Sequence, residues 1–288
     1  MKWPAFEYAR PTSLDAFFAL RTDAGGDAKV LAGGQSLLAS LAFRLSEPSL
    51  LIDITAIEAL SGVRESAGGI EIGALTHHAM LERDPLIRRH APLLRHAAPL
   101  IAHPAIRNRG TIGGSLALAD PASELPACAV ALKADIIAAS ASGERRIAAD
   151  DFFAGMFETA LGEDEIIRAV HIPGPAAGAR FAIREITRRS GDYAMAGLAA
   201  AATVEGGRLG SVRLVYFSLG DRPILAEAAS AALAGSDGTG AALDAALAAL
   251  DEALGPSDDL NGPAAMKMHL ARVLTRRVVG DLITGVAA

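Results

Sequence analysis

Hydrophobic and polar positions alternate with different periods along this chain of 288 residues, and each period predicts a type of element. Apolar residues at every second position over 69–74 predict a strand. Short apolar runs on both sides of Ser142-Gly143 predict a hairpin. The predicted strands are 29–32, 50–54, 69–74, 135–139, 145–147, 166–172, 194–204 and 209–219, the last two paired around Gly206-Gly207.

Helical spacing covers much of the remaining chain. An N-cap at Thr12 or Ser13 predicts a first helix that runs to Gly25-Gly26, and a cap at Thr76 predicts a helix over 76–83. The other predicted helices are 36–43, 87–101 with interruptions at Pro92 and Pro99, 226–233, 241–254 and 264–284.

A stretch of Gly, Pro and Ala without charge, 174–178, is the best candidate for a linker. It predicts a larger domain over 1–177, with subdomains of about 1–60 and 61–177. A second domain, 178–288, follows it with paired strands and Ala-rich helices.

Composition excludes several classes of protein. The net charge of −6 argues against general nucleic-acid binding, which needs a basic face. The single cysteine, Cys128, excludes an internal disulfide and an iron–sulfur cluster held by this chain alone. The N-terminus has no apolar signal segment, and no apolar run is long enough to span a membrane. We therefore expect a cytoplasmic protein.

Two glycine segments are the strongest candidates for a binding site. They are Ala32-Gly33-Gly34-Gln35-Ser36 and Thr111-Ile112-Gly113-Gly114-Ser115. Each is compatible with a tight turn alone. Successive N–H groups in such a turn also form a nest for phosphate, and two nests would clamp a pyrophosphate. The chain lacks G-x-G-x-x-G and G-x-x-x-x-G-K-[ST], so neither a Rossmann nor a P-loop site is supported.

The flanks of these segments resemble a known family over nearly the whole chain. The sequence is similar to the flavin subunit of the molybdenum hydroxylases, the relatives of xanthine dehydrogenase and aerobic carbon monoxide dehydrogenase. The similar motifs are Ala32–Ser36, Asn108–Ala117, Ala119–Pro126, Phe152-Phe153-x-Gly155 with Thr159, Glu163–Ile167 and Arg189–Ala194.

This resemblance implies an α+β fold. The larger domain would have the two-subdomain FAD-binding fold of the vanillyl-alcohol-oxidase and para-cresol-methylhydroxylase type, with FAD between its subdomains. The second domain would be a C-terminal α+β domain with a small antiparallel sheet that closes the flavin site.

The resemblance also implies roles for individual residues. Glu124 would bind on the ribose and adenine side, and Ile101 and Ile167 would lie near the flavin ring. Tyr193 would stack on the flavin and gate the approach of a hydride acceptor, and Arg184 would stabilise the reduced, anionic flavin. The implied pyrophosphate-binding residues are Ala32, Gly33, Gly34, Gln35, Ser36, Thr111, Gly113, Gly114 and Ser115.

The roles of several other polar residues near the glycine segments stay open. Arg107 and Arg109 beside the second segment are either solvated surface, or they attract phosphate or contact a subunit. His77 and His78 are adjacent, which is poor spacing for a metal site, and no other metal cluster or acid–base set emerges. Asp120 is expected to form a turn before Pro121.

Departures from the family pattern also matter. Relatives often carry His where this chain has Gln35 and Leu118, which puts side-chain contacts at those points in doubt. Some relatives hold an extra cluster on an inserted cysteine loop, which a chain with one cysteine cannot do.

The resemblance implies an electron-transfer subunit of a heterotrimer. A large partner would hold molybdopterin, and a small partner would hold two [2Fe–2S] clusters. FAD on this chain would collect electrons singly and deliver two to NAD, a quinone or oxygen. A dimer of such heterotrimers is expected. The alternatives are a non-catalytic scaffold that has lost the flavin, and a free-standing flavin oxidase.

Overall fold

Three larger sheets and one two-stranded sheet, with associated helices, organise the described residues. The computed structural model describes residues 3–24 and 27–285. The strands are β1 (Glu7–Ala9), β2 (Ala28–Leu31), β3 (Leu50–Asp53), β4 (Val63–Ser66), β5 (Gly69–Gly73), β6 (Asp135–Ser140), β7 (Gly143–Ala148), β8 (Phe153–Gly155), β9 (Glu158–Thr159), β10 (Ile166–Pro173), β11 (Ala179–Ile186), β12 (Ala196–Glu205), β13 (Arg208–Phe217) and β14 (Ile224–Leu225). The helices are α1 (Leu14–Ala24), α2 (Leu37–Ala42), α3 (His78–Arg83), α4 (Pro85–His90), α5 (Pro92–Ala97), α6 (Pro104–Arg107), α7 (Ile112–Leu118), α8 (Glu124–Ala131), α9 (Ala149–Phe152), α10 (Glu227–Leu233), α11 (Gly240–Ala253) and α12 (Ala264–Thr284).

The first sheet is parallel, with the strand order β1-β3-β2. Parallel neighbours need a crossover, which α1 and α2 provide. The predicted cap of α1 is confirmed at Ser13, whose Oγ accepts a hydrogen bond from the Ala16 N–H at 3.2 Å. The predicted end of this helix, Gly25-Gly26, lies outside the described residues. Phe17 and Ile52 belong to the small core beneath this sheet.

The second sheet has five strands in the order β4-β5-β10-β6-β7, and its pairs are antiparallel. The predicted hairpin around Ser142-Gly143 is confirmed by β6 and β7. The predicted cap at Thr76 is wrong, because α3 begins at His78. The Thr76 hydroxyl instead bonds the N–H and the carbonyl of Gly62, which ties two strands of this sheet together.

The third sheet is antiparallel, with the order β11-β12-β13-β14. Helices α10, α11 and α12 cover one face with a core of their own. The predicted range 264–284 for the last helix is confirmed. Strand β11 escaped prediction because its sequence, ARFAIREI, mixes charged and apolar residues without strict alternation.

Helix α8 joins the second and third sheets in one packed structure. All eight of its residues are buried, including Cys128, as expected for that residue. The opposite face of the third sheet packs against α8 through residues of β12 and β13 that belong to the main core. The N-terminus of α8 therefore lies where the two parts of the chain meet. None of the described helices has the length and apolar character that a bilayer crossing requires.

Candidate functional site

The first glycine segment, residues 32–36, is a loop between β2 and α2 that presents free amide groups. Its carbonyl oxygens are engaged: Gly33 O accepts from the Gln35 side chain at 3.0 Å, and Gly34 O accepts from the Leu38 N–H at 3.2 Å. None of its five N–H groups donates to an acceptor in the described residues. Gly34 has a φ of +74°, which an L residue adopts only with strain. The loop is therefore a nest of unpaired donors, the arrangement that binds an anion.

The second glycine segment is built differently and corrects the expectation of a second amide nest. The N–H groups of Ile112 and Gly113 donate to Thr76 O and Ala74 O, at 3.0 and 2.8 Å. Thr111 caps α7 by accepting from the Gly114 N–H at 3.2 Å, and Thr111 O accepts from the Ser115 N–H. These four amides are already used. The glycines here serve close packing, because a Cβ on Gly113 would lie 2.5 Å from the Cβ of Ala74.

The first segment touches Arg109 and Gly110, which immediately precede the second, although the two segments are far apart in the sequence. A Cβ on Gly33 would lie 2.2 Å from the carbonyl oxygen of Arg109 and 2.9 Å from Gly110 Cα. A cleft of about 260 Å³ opens beside this contact. Its lining residues are Ala32, Gly33, Thr55, Ser61, Leu75, His77, Asn108, Arg109 and Thr111. The second segment therefore supports the first and contributes one wall of a shared cleft.

A second group of site residues gathers at the N-terminus of α8. Glu124 is only 8% exposed, and burial together with the nearby Asp120 raises its pKa to about 7. Asp120 forms the expected turn, since its carboxylate accepts from the Ala122 N–H at 2.9 Å. Tyr193 faces Asp120, and partial dehydration and the charges of Asp120 and Glu124 raise its pKa. Its side chain remains 63% exposed, so it offers an open surface for stacking.

Comparison with known proteins decides the family. Residues 4–175 match the FAD binding domain in molybdopterin dehydrogenase, and residues 181–282 match the CO dehydrogenase flavoprotein C-terminal domain. The chain belongs to the FAD-binding subunits of the molybdenum hydroxylases. The resemblance of the motifs, the α+β fold and FAD as the cofactor are thereby confirmed.

Relatives of known name support this membership. The 6-hydroxypseudooxynicotine dehydrogenase complex subunit alpha of Paenarthrobacter nicotinovorans is 40% identical over 225 residues, which cover 78% of this chain and 76% of that protein. The carbon monoxide dehydrogenase medium chain of Afipia carboxidovorans is 37% identical over 282 residues, 96% of each chain. The structure of carbon monoxide dehydrogenase from Hydrogenophaga pseudoflava superposes with a TM-score of 0.94 at 38% identity, and covers 97% of this chain and 98% of that one. This FAD-binding subunit is therefore part of an oxidoreductase.

Arg184 of this FAD-binding subunit does not join the other site residues, which corrects the sequence interpretation. Strand β11 directs Arg184 to the face that packs on α12, where its guanidinium bonds both carboxylate oxygens of Asp281, at 2.5 and 3.1 Å. Residues on the opposite face of β11, such as Ile183, belong to the main core beside α8. Arg184 ties the C-terminal domain together, because alternation along the strand carries it away from Glu124 and Tyr193.

Ile101 and Ile167 are both buried in the main core of the subunit. Ile167 is 2% exposed on β10. Ile101 is 9% exposed and precedes Ala102, whose φ of +40° bends the chain. A Cβ on Gly191, two residues before Tyr193, would lie 3.1 Å from Ala102 O. Of the two isoleucines, Ile101 therefore lies in the segment that contacts the Tyr193 loop.

Arg107 has a role that both sequence interpretations of it missed. Its side chain is 13% exposed, and it pairs with Glu82 at 2.7 Å. It also donates to the carbonyls of Pro99, Ile101 and Ala102. Arg107 thus holds the segment that contacts the Tyr193 loop. Arg109, in contrast, is exposed in the cleft and forms no ion pair with the described residues.

Several residues that line the cleft lie outside the sequence motifs and were therefore not predicted. Thr55 and Ser61 come from connections after β3, and Asn108 and His77 flank the second segment. His77 Nδ1 lies 3.1 Å from Arg109 O, the carbonyl that Gly33 packs against. These are ordinary polar residues in the sequence, and only the meeting of the two segments brings them together.

His78 packs against the second segment as a neutral ring. It is 4% exposed, and its Nε2 lies 3.0 Å from the hydroxyl of Ser115. Burial lowers the pKa of His78 from 6.5 to about 4.

Acid should weaken the contribution of His78 to the stability of this subunit. Between pH 6.5 and 4 the unfolded chain binds a proton at this histidine that the folded chain excludes, so the contribution of His78 falls as the pH falls through this window. At pH 5 this loss is about 2 kcal/mol. Buried carboxyls with raised pKa values act in the opposite direction, equally in wild type and in the variants. We therefore expect the change in unfolding free energy from pH 7.5 to pH 5 to be more favourable by about 2 kcal/mol in His78→Gln than in wild type, while His269→Gln, at an exposed position of α12, follows wild type. The same pH dependence in wild type and His78→Gln would contradict this assignment.

Proposed function

We propose that this chain binds FAD with its pyrophosphate on residues 32–36 and its isoalloxazine beside Tyr193. The domain division at 1–177 and 178–288 belongs to this proposal, with the flavin between the parts of the first domain and closed by the second. FAD, once bound, accepts electrons singly and releases them as a pair. The chain positions the cofactor and tunes its surroundings.

The observation that carries the proposal is the set of five N–H groups in residues 32–36 that donate to no acceptor among the described residues. Unpaired backbone donors cost free energy unless water or a ligand satisfies them, and a diphosphate accepts several such bonds. The uncompensated guanidinium of Arg109 in the same cleft adds positive charge toward the phosphates. Thr111, Gly113, Gly114 and Ser115 shape the cleft, while the amides of residues 32–36 make the contacts.

The position of Glu124 also belongs to the proposal. Tyr193 faces Asp120, which forms the turn just before Glu124 at the start of α8. An extended FAD has its adenine and its flavin ring at opposite ends. If Tyr193 stacks on the ring, Glu124 lies beside the flavin half of the cofactor. The family resemblance implied a position on the adenine side instead.

Partners follow from the family. Relatives are named as subunits of complexes or as medium chains, and partner subunits carry molybdopterin and iron–sulfur clusters in this enzyme family. We propose a heterotrimer in which electrons reach this chain from [2Fe–2S] clusters of the small subunit and leave to NAD, a quinone or oxygen. A dimer of heterotrimers is part of the same proposal.

The two other candidates have less support. A scaffold without flavin would be free to lose the donor nest, yet no bulky side chain occupies residues 32–36. A free-standing oxidase would need its own substrate site. Residues 181–282 instead match the CO dehydrogenase flavoprotein C-terminal domain, which favours the electron-transfer subunit.

The proposal predicts that the chain purified after flavin-replete expression carries about one FAD. We expect the supernatant of the denatured protein to show the flavin absorption spectrum and to contain FAD and not FMN by chromatography. Co-expression with the neighbouring large and small subunits should yield one complex containing molybdenum and iron. Protein that is folded but releases no FAD, alone or in that complex, would exclude the proposal.

A further inference from the structure

The carboxyl ends of the strands of the first sheet lie beside the cleft. Strands β1, β3 and β2 are parallel, so the residues that follow them share one edge of the sheet. Arg10 directly follows β1, Thr55 lies two residues after β3, and the segment 32–36 follows β2. Ligands of open α/β sheets bind outside this edge. The topology therefore brings Arg10 and Thr55 to the glycine segment whose N–H groups donate to no acceptor in the described part of the chain.

Asp53, the last residue of β3, holds Thr55 at this edge. Asp53 is 8% exposed. Its Oδ1 accepts a hydrogen bond from the Thr55 N–H at 2.9 Å, and its Oδ2 accepts one from the Tyr8 hydroxyl at 2.5 Å. Burial opposes the ionisation of Asp53, but the bonds from Thr55 and Tyr8 outweigh it and lower the pKa of this carboxyl. Asp53 is therefore a charged anchor for the backbone of Thr55.

The side chain of Thr55 is held so that its hydroxyl proton stays free. Thr55 Oγ1 accepts a hydrogen bond from Arg10 Nη2 at 3.3 Å and donates to no acceptor among residues 3–24 and 27–285. A threonine hydroxyl carries one proton in addition to its two acceptor lone pairs. Because Arg10 occupies an acceptor position, the proton remains available to an acceptor in the cleft that Thr55 lines.

The contact between Arg10 and Asp53 adds little to the stability of the fold. Arg10 Nε lies 3.7 Å from Asp53 Oδ2, and the Arg10 side chain is 55% exposed. Exposed ion pairs of this kind contribute little. The bond from Arg10 to Thr55 therefore has its main consequence in the cleft. Thr55 and Arg109 line that cleft together, and an anion with several acceptor oxygens suits both donors.

We propose that the Thr55 hydroxyl donates a hydrogen bond to the diphosphate of the bound dinucleotide and that Arg10 positions this hydroxyl. The identity of the ligand rests on the proposed function, whereas the hydrogen-bond network around Asp53 is a property of the folded chain. Thr55 is the group that touches the ligand, and Arg10 is a positioning residue. Strand β1 thereby contributes to the cofactor site through the residue that follows it, although no motif of the sequence includes that residue.

Fluorescence titration of the flavin-free chain with FAD tests the Thr55 contact. Thr55→Val removes the hydroxyl at nearly constant volume, and we expect it to bind FAD about 10-fold more weakly. Thr55→Ser retains the hydroxyl and should restore the affinity to within about 2-fold of wild type. Thr239→Val is the matched control and should leave the affinity unchanged. The Thr239 hydroxyl also makes one side-chain hydrogen bond, to Asp237, at an exposed position before α11.

Urea unfolding separates loss of the contact from loss of the fold. Thr55 is exposed, so the ligand-free Thr55→Val chain should unfold at the same urea concentration as wild type. Equal FAD affinity in wild type and Thr55→Val overturns the contact. An affinity of Thr55→Ser as weak as that of Thr55→Val also overturns it, because the hydroxyl is then not the group that binds.

A double-mutant cycle with Arg10→Met tests the positioning. Arg10→Met should weaken FAD binding roughly 3-fold in the wild-type background and should have little effect in Thr55→Val, because Arg10 acts through the hydroxyl. An equal effect in both backgrounds overturns the positioning role. Failure of wild type to bind FAD refutes the proposed function. Calorimetric titration of the same variants with inorganic pyrophosphate then decides the contact separately: wild type should bind pyrophosphate more tightly than Thr55→Val, and an equal result in the two chains overturns the contact.

Discussion

Gly33→Ala should weaken FAD binding strongly while leaving the rest of the fold in place. The added Cβ would lie 2.2 Å from the carbonyl oxygen of Arg109 and 2.9 Å from Gly110 Cα, which are both backbone atoms. No side-chain rotation relieves such a clash, so the two segments must separate. We expect an FAD affinity about 100-fold lower, equivalent to roughly 3 kcal/mol, by fluorescence titration of the flavin-free chain. Overpacking should also cost about 1–3 kcal/mol of folding stability.

Gly255→Ala is the matched control for this substitution. No atom lies within 4 Å of a Cβ built on Gly255, and its φ is not in the left-handed region. It should bind FAD as tightly as wild type. A Gly33→Ala protein with wild-type FAD affinity would show that the contact between the two segments does not shape the site.

The sequence predicts the two glycine segments but not the difference between them. Both contain Gly-Gly beside small polar residues, and both were expected to present amides. Whether an N–H is free depends on acceptors elsewhere in the chain, here Ala74 and Thr76, which no local pattern reveals. The same limit applies to Arg184, since its direction depends on the register of β11, a strand that the alternation of residues did not indicate.

The elements with strong local signals were predicted well. The last helix and the hairpin around Ser142-Gly143 have long periodic patterns or clear turn residues, so their structure is fixed by nearby sequence. Glu124 was recognised through the family resemblance, but the cleft residues Thr55, Ser61 and Asn108 were not. Single polar residues outside a motif have no sequence signature. Their importance comes from the fold, which brings them to the same cleft.

Arg107→Gln is expected to be the most destabilising of the single substitutions considered for this chain. It removes a side chain that is 13% exposed and pairs with Glu82, itself 25% exposed, at 2.7 Å. It also leaves the carbonyls of Ile101 and Ala102 without their donor. Because the pair is only partly buried, breaking it and leaving two carbonyls without their donor should cost about 3 kcal/mol, at the lower end of the range for buried ion pairs. Urea unfolding followed by circular dichroism should show this loss, and Arg107→Lys should recover only part of it because an ammonium cannot span the same acceptors.

The consequence for function should reach Tyr193 through the segment that Arg107 holds. Gly191 packs on Ala102, so a loosened segment frees the loop that carries Tyr193, and a flavin stacked by Tyr193 should become more fluorescent.

Arg89→Gln is the matched control, because Arg89 is 73% exposed and lies 3.8 Å from an exposed Glu65. Such a surface pair contributes at most about 1 kcal/mol. In a double-mutant cycle, Glu82→Gln should add little to Arg107→Gln, since both break the same pair.

If Arg107→Gln unfolds at the same urea concentration as Arg89→Gln, Arg107 does not hold this segment. The order of the loop that carries Tyr193 must then come from the contacts of that loop itself.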